Sequence, residues 1–169
     1  MADKTLFFAF WPSHRQREQL RQPIRRALSD VEGNPVNRRN WHITLVYIGR
    51  FPEEKISDLL STVATINPGE IRLRFDSLTY WQRPKVACMH ARIVPPALEQ
   101  LVKSLQQALV TFNYEPDPRG YRPHITVVRK VRTFREVRLA RPIELSWKKF
   151  ELLESVRFRG QLQYHPVKQ

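Results

Sequence analysis

Two short motifs in this chain place a histidine two residues before a threonine, with isoleucine between them in both cases. His42 and Thr44 form the first motif, and His124 and Thr126 form the second. In a β-strand, residues two apart point to the same face, so each motif would present an imidazole beside a hydroxyl. If the two strands meet at one cleft, two imidazoles and two hydroxyls face a common space.

Two imidazoles suit the hydrolysis of a cyclic phosphodiester. That reaction needs a base to take a proton from the attacking water and an acid to protonate the departing sugar oxygen on the opposite side of phosphorus. Imidazole has an ordinary pKa of about 6.5 and can serve in either form near neutral pH, and each such proton transfer typically contributes roughly 10²–10⁴-fold. Thr44 and Thr126 would donate to the phosphate oxygens.

Arg129 is the nearest cation that could strengthen this phosphate contact. It lies five residues after His124, which places it on the opposite face of a straight strand. Arg129 therefore needs a bulge, a strand end or an approach from the rim to reach the phosphate.

A metal centre and a cysteine nucleophile are the weaker interpretations. Asp and Glu are sparse, and none lies within three residues of His42 or His124, so we expect neither a metal nor another cofactor. Cys88, the single cysteine, lies in an apolar, strand-like run and is interpreted as a packed small hydrophobe. The remaining histidines have no threonine partner and are interpreted as surface or packing residues: His14, His90 and His165.

The charge of the chain favours a polyanionic partner. Its 169 residues include 29 Lys and Arg against 16 Asp and Glu, a net charge of +13. A basic face that only keeps the protein soluble, or binds any nucleic acid weakly, is the alternative. The single cysteine favours a cytoplasmic location, the N-terminal apolar run is too short for a signal peptide or membrane span, and a monomer is the default expectation.

The pattern of apolar residues predicts an α+β fold, with single helices between several strands. Strands are predicted at residues 6–11, 41–48, 71–80, 86–93, 124–131, 143–153 and 155–164, and helices at 13–28, from 52 to about 66, and from 95 to about 112. Ser13 is the predicted N-cap of the first helix, Pro23 would kink it, and Gly49 would close the second strand.

A faint internal repeat accompanies the two motifs, because residues 40–46 are echoed by residues 122–128. Each copy follows a basic loop that contains proline. Two similar units packed around a pseudo-two-fold axis would bring both strands to a common cleft, within one bilobal domain that spans residues 1–169.

The chain resembles the two-histidine phosphoesterase superfamily, specifically the RNA 2′,3′-cyclic phosphodiesterases also called 2′-5′ RNA ligases (LigT-like). Residues 6–9, 40–49 and 122–129 carry the resemblance, which spans nearly the whole chain. It implies a bilobal α+β fold with an antiparallel sheet in each lobe, and an RNA partner with a 2′,3′-cyclic phosphate end. It also implies hydrolysis to a 2′-phosphomonoester, with His42 as proton donor and His124 as proton acceptor, and a related 2′-5′ ligation.

His90 departs from the family pattern, because relatives often carry a small residue at that strand position. The departure bears on substrate preference and not on the catalytic pair.

Two other interpretations stay open at this stage. A non-catalytic module could bind RNA ends through the basic cleft and stack bases on aromatic side chains, although core packing is the simpler interpretation for most of them: Phe7, Trp41, Tyr47, Trp81 and Tyr121. Tyr121, beside the second motif, is the best stacking candidate. The same chemistry could also act on a small cyclic nucleotide, an ADP-ribose cyclic phosphate or a 2′-5′ oligonucleotide.

Overall fold

A computed structural model describes residues 2–132 and 134–168. Strands and helices follow one another in these residues in the order β1 (Asp3–Phe10), α1 (His14–Ala27), β2 (Asn34–Pro35), β3 (Ile43–Pro52), α2 (Ile56–Val63), β4 (Ile71–Trp81), β5 (Val86–His90), α3 (Pro96–Leu109), β6 (His124–Arg129), β7 (Val137–Trp147), β8 (Glu151–Phe158) and β9 (Gln161–Pro166). No helix of the described residues is both long and apolar enough to cross a membrane.

The strands form two antiparallel sheets. The first sheet has the order β3-β1-β8-β9, and the second has the order β2-β6-β5-β4-β7. The two sheets contact each other where β3 approaches β6, the two strands of the histidine motifs. The α+β class with an antiparallel sheet in each half is therefore confirmed.

The core lies between the sheets and the helices. Phe8 and Phe10 on β1 are fully buried, and the Phe10 ring stacks on Trp147 of β7 with centroids 5.1 Å apart, which joins the two sheets. Alternate residues of β4, such as Leu73 and Phe75, are also buried. This packing holds the backbone beneath both motifs in place.

Helix α1 begins as predicted. The Ser13 side chain accepts a hydrogen bond from the Gln16 backbone, and the Gln16 side chain accepts one from the Ser13 backbone, which completes a capping box. The helix continues through Pro23 to Ala27, with Leu20 and Ile24 buried.

Some predicted boundaries are wrong. The segments predicted as strands at 143–153 and 155–164 are β7, β8 and β9, interrupted after Trp147 and again after Phe158. The second interruption is a tight hairpin turn, in which Arg159 (φ 50°) and Gly160 (φ 77°) adopt the left-handed conformation that two-residue hairpins require. Gly49 does not close β3 but lies within it, at a positive φ of 84°.

Candidate active site

A cavity of about 310 Å³ contains both histidines. Strands of both sheets contribute to its wall, and the residues that line it are Thr5, Phe7, His42, Thr44, Tyr47, His124, Thr126, Arg129, Ser155, Leu162 and Tyr164. The structure therefore brings together five of the six site residues that the sequence predicts, and the exception is Tyr121.

His42 is held by contacts on several sides. Its Nδ1 lies 2.7 Å from the Asn40 carbonyl oxygen, and its Nε2 lies 3.0 Å from the Thr44 hydroxyl oxygen. The ring packs against Phe7 (centroids 4.9 Å apart) and meets Tyr164 edge to face at 4.8 Å. Because a carbonyl oxygen only accepts hydrogen bonds, Nδ1 carries the proton, and Nε2 is the atom left to exchange a proton with a substrate.

His124, the first residue of β6, repeats the Nδ1 contact of His42. Its Nδ1 donates to the Arg122 carbonyl oxygen at 2.8 Å, again the carbonyl two residues earlier in the chain. The ring packs against the Trp81 indole at a centroid distance of 4.3 Å, and the Arg122 guanidinium carbon lies 4.2 Å from the Trp81 ring centroid. Both motifs thus fix the same imidazole tautomer by the same local device.

A β-bulge turns Arg129 toward the cavity. On β6, Thr126 pairs with Cys88 and Val128 pairs with Ala87, so Val127 is an extra residue without its own partner on β5. Val127 and Val128 are consecutively buried, and Arg129 then returns to the face of the cavity. Of the three routes open to Arg129 from sequence, the structure contains two, the bulge and the strand end, because Arg129 is also the last residue of β6.

Strand β3 repeats this device. Thr44 pairs with Ala9 and Val46 pairs with Phe8, so Leu45 is the extra residue and Tyr47 reaches the cavity. Tyr47 therefore occupies in the first motif the place that Arg129 occupies in the second, and its side chain is 62% exposed.

The loop that precedes the first motif is held in place by a buried arginine. Arg17 of α1 donates through Nη1 to the carbonyl oxygens of Arg38 and Trp41, at 2.5 Å and 3.0 Å. Burial lowers the pKa of Arg17 to about 10, which leaves it charged at neutral pH. Arg17 thereby sets the position at which the chain reaches His42.

Both catalytic candidates are less basic than a free histidine. Burial, together with the positive charges of His124, Arg129 and Arg17, lowers the pKa of His42 to about 4, against an opposing hydrogen bond to Asn40. Burial is also the main cause that lowers the pKa of His124. Near pH 7 both rings are therefore neutral while the cavity holds no anion.

Tyr121 has a structural contact in place of a stacking surface. It packs against the hydrophobic core, and its hydroxyl donates to the Thr44 carbonyl oxygen at 2.9 Å. Burial raises the pKa of this phenol far above its usual range. The prediction that Tyr121 stacks on a base gains no support from this position, and a role in fixing Thr44 does.

We expect Tyr121→Phe to lower the free energy of unfolding by about 1 kcal/mol, because the Thr44 carbonyl loses a buried hydrogen-bond partner. Urea denaturation followed by circular dichroism measures the change. Tyr47→Phe removes a hydroxyl from an exposed ring and is the matched control. Equal stabilities of the two variants would show that the Tyr121 hydrogen bond contributes nothing.

Several residues that line the cavity were not predicted from the sequence. Ser155 and Leu162 come from the last two strands, as does Tyr164, whose edge contacts His42. No local motif marks these positions, since β8 and β9 reach the cavity only through the pairing of β8 with β1. A pairing of that kind joins residues about 145 positions apart.

His90 and Cys88 lie outside the cavity. His90 ends β5, where it pairs with His124, and its ring lies 5.9 Å from the Trp81 centroid. Cys88 is buried as predicted, and burial raises the pKa of its thiol to about 11. Within residues 2–132 and 134–168, no group of three or more His, Cys, Asp and Glu side chains could hold a metal ion.

Comparison with known proteins agrees with this geometry. Residues 11–88 match the family model described as LigT like Phosphoesterase. An RNA 2′,3′-cyclic phosphodiesterase of Escherichia coli strain K12 is 28% identical over 96% of this chain and 93% of its own length. A second protein of that name, from Methanocaldococcus jannaschii, is 26% identical over 56% of this chain and 53% of its own length.

Solved structures extend the likeness to the whole fold. The crystal structure of E. coli LigT complexed with 3′-AMP has a TM-score of 0.88 at 26% identity, over 98% of this chain and 96% of the other. The crystal structure of a Thermus thermophilus protein has a TM-score of 0.78 at 22% identity, over 97% and 95%. Fold and site together define a phosphoesterase. The chain is similar to the LigT-like phosphoesterases over residues 11–88 in sequence and over nearly its whole length in fold.

Proposed function

We propose that this protein hydrolyses the 2′,3′-cyclic phosphate at the end of an RNA to a 2′-phosphomonoester, without a metal ion. The observation that carries the proposal is the pair of imidazoles, His42 and His124, which line one cavity and each have Nδ1 committed to a backbone carbonyl. Only Nε2 of each ring is left for the substrate. The names of the E. coli and M. jannaschii relatives support the choice of RNA.

Five side chains of the cavity have a role in this reaction. One imidazole takes a proton from the attacking water, and the other gives a proton to the departing 3′ oxygen. Thr44, Thr126 and Arg129 hold the phosphate oxygens and stabilise the charge that develops on them. We assign His42 as donor and His124 as acceptor on the family resemblance, since the contact of Nδ1 with a backbone carbonyl is the same in both rings and does not distinguish the two roles.

The donor role of His42 depends on the substrate. In the cavity without an anion, the pKa of His42 is about 4, so the ring holds no proton at pH 7. A phosphodiester anion beside the ring offsets the surrounding positive charges and favours the imidazolium form. Binding of substrate would therefore load His42 with the proton that it later donates.

Sulfate tests whether an anion in the cavity makes His42 take up a proton, because the charge of sulfate itself is constant over this pH range. We expect saturating sulfate to raise the pKa of His42 from about 4 toward the ordinary 6.5. Because the complex takes up a proton, sulfate affinity must fall as the pH rises through the pKa of the complex. NMR titration of the His42 ring protons, with exposed His14 as internal control, measures both effects. An unchanged His42 titration in saturating sulfate would contradict proton loading.

The test of the function is hydrolysis of a short RNA that ends in a 2′,3′-cyclic phosphate, in the presence of EDTA. We expect turnover, with a 2′-phosphomonoester as the product. Loss of turnover in EDTA that Mg²⁺ restores would contradict the metal-independent mechanism, and a 3′-phosphate product would contradict the assignment of acid and base to the two sides of phosphorus. Tight RNA binding with no turnover would leave the non-catalytic binding module as the function.

The same site would also serve a ligation. A ribose hydroxyl that occupies the position of water would attack the cyclic phosphate and form a 2′-5′ bond, with the same proton transfers. Adding a 5′-hydroxyl RNA to the hydrolysis reaction and looking for a longer product tests this second activity.

A further inference from the structure

A second and larger depression lies beside the catalytic cavity. Its volume is about 950 Å³, and it shares Arg129, Leu162 and Tyr164 with the cavity. One of its walls comes from residues 34–40, and the other comes from the hairpin of β8 and β9. We call this depression the hairpin groove.

The charges of the hairpin groove are all of one sign. Arg39, Arg129, Lys130 and Arg157 line it, and no Asp or Glu is among its lining residues. None of these four cations has a carboxylate within 4.0 Å among the described residues. The groove therefore concentrates positive charge that the protein itself does not neutralise.

Some basic side chains close to the groove residues in sequence, or elsewhere on the surface, are paired with a carboxylate. Arg38, next to Arg39 in sequence, lies 3.1 Å from Glu18, and Arg119 lies 2.8 Å from Asp117. The contrast between Arg38 and Arg39 is the sharpest, because only the arginine that faces the groove lacks an acidic partner among the described residues. The four cations of the groove are therefore available to an anionic ligand.

We propose that the hairpin groove binds the RNA strand that leads to the terminal cyclic phosphate. The inference rests on the proposed function, because it takes the catalytic cavity as the place of the RNA end. From Tyr164 and Arg129 the strand would continue along Arg39 and Arg157, whose guanidinium groups contact its phosphates. The groove thereby selects an RNA chain over a cyclic mononucleotide.

The tip of the hairpin favours a single strand. Phe158 is 54% exposed beside Arg157, and the Arg159 guanidinium carbon lies 5.2 Å from its ring centroid. An exposed aromatic ring among arginines is the surface on which unpaired bases stack, whereas bases within a duplex are not available for such stacking.

A second basic depression fits this role less well. It lies at the hairpin of β4 and β5, and its volume is about 480 Å³. Its charge comes from Arg83, Lys85, Arg129, Lys130 and Arg132. It shares only Arg129 with the catalytic cavity, and Arg132 lies 3.9 Å from Glu32. The hairpin groove is larger than this depression and shares three residues with the cavity, whereas this depression shares one.

The experiment compares two double variants on two substrates. Arg39→Gln/Arg157→Gln removes two charges from the groove, and Arg25→Gln/Arg26→Gln removes two exposed charges from the end of α1, outside it. The substrates are a single-stranded RNA of about ten nucleotides with a 2′,3′-cyclic phosphate end, and 2′,3′-cyclic AMP. Thermal melting of each variant verifies that it is folded.

We expect the groove variant to lose about tenfold in kcat/KM on the RNA and less than twofold on 2′,3′-cyclic AMP. The slope of the logarithm of its RNA affinity against the logarithm of the salt concentration should become shallower by about 1.4. This is the amount expected when two phosphate contacts to a single strand are lost. The α1 variant should differ from wild type by less than twofold on either substrate. Phe158→Ala should weaken RNA binding more than Val137→Ala, which truncates another exposed apolar side chain.

Three results would overturn the proposal. The first is an equal loss of kcat/KM on RNA in the groove variant and in the α1 variant. The second is a loss of kcat/KM in the groove variant that is as large on 2′,3′-cyclic AMP as on RNA. The third is binding of duplex RNA as tight as that of single-stranded RNA. Fluorescence anisotropy with a single-stranded RNA that ends in a 3′-phosphate measures binding without turnover. A wild type that binds this RNA through Arg39 and Arg157 yet hydrolyses nothing would therefore refute the proposed function and leave the groove standing.

Discussion

Replacement of His42 or His124 by alanine will lower kcat by roughly 10²–10⁴-fold, the usual contribution of a positioned general acid or base. The effect should be of similar size for both, because each ring has one Nε2 available and the same hydrogen bond from Nδ1 to a backbone carbonyl. Initial rates on an RNA that ends in a 2′,3′-cyclic phosphate, taken in EDTA, measure it.

Two further variants separate lost chemistry from lost structure. The His42 ring packs against Phe7 and Tyr164, so alanine leaves a hole there, whereas His42→Asn keeps a donor for the Asn40 carbonyl but cannot exchange a proton. His14→Ala, at an exposed position in the first turn of α1, is the control and should retain wild-type rates. The double variant should be little worse than either single variant, since the two proton transfers act as a unit. A folded His42→Asn or His124→Ala enzyme with near wild-type turnover would refute the two-histidine mechanism.

Arg129→Ala will lower kcat/KM by roughly 10²-fold, because it removes a charged, planar donor from the side of the transferring phosphate. Arg129 is the one cation that lines the cavity, among the described residues, and the bulge at Val127 is what turns it there. Arg129→Lys keeps the charge but loses the paired donors, so its loss should be smaller than that of alanine. Kinetics on 2′,3′-cyclic AMP isolate this contact from binding of a longer RNA.

The matched control for Arg129 is Arg138→Gln. Arg138 lies on β7, is exposed and contributes the same formal charge to the surface, so its removal should change kcat/KM by less than twofold. If Arg129→Ala and Arg138→Gln change kcat/KM by the same factor, Arg129 acts only through the overall positive charge of the protein and not through a contact with the phosphate. Sulfate affinity of the same three variants gives a second, equilibrium measure of the contact.

The histidine motifs and the central strands of the fold follow from local sequence. His42 and Thr44 are two apart in a β-branched, apolar segment, and this spacing alone places them on one face of a strand. The capping box at Ser13 and the hairpin between β4 and β5 are likewise short-range features. The pairing of two such motifs in one cavity was predictable because residues 40–46 and 122–128 repeat the same pattern.

The rest of the site was decided by tertiary structure. Whether Arg129 faces the cavity depends on the bulge at Val127, which exists only through the register of β6 against β5. Tyr164 reaches His42 because β9 pairs with β8 and β8 pairs with β1. Arg17, which lies on α1, fixes the loop before His42 by donating hydrogen bonds to two of its carbonyl oxygens.

The predicted strands at 143–153 and 155–164 were wrong for a different reason, because both breaks have local signals that were overlooked. The consecutive Lys148 and Lys149 interrupt the apolar alternation at the first break. Gly160 marks the second break as a turn, and the pairing of β8 with β9 confirms it. The sequence by itself thus determined which residues carry the proton chemistry, since that depends on residue type and a period of two. Tertiary structure decided which other side chains surround them, because strand register and long-range packing have no local signature.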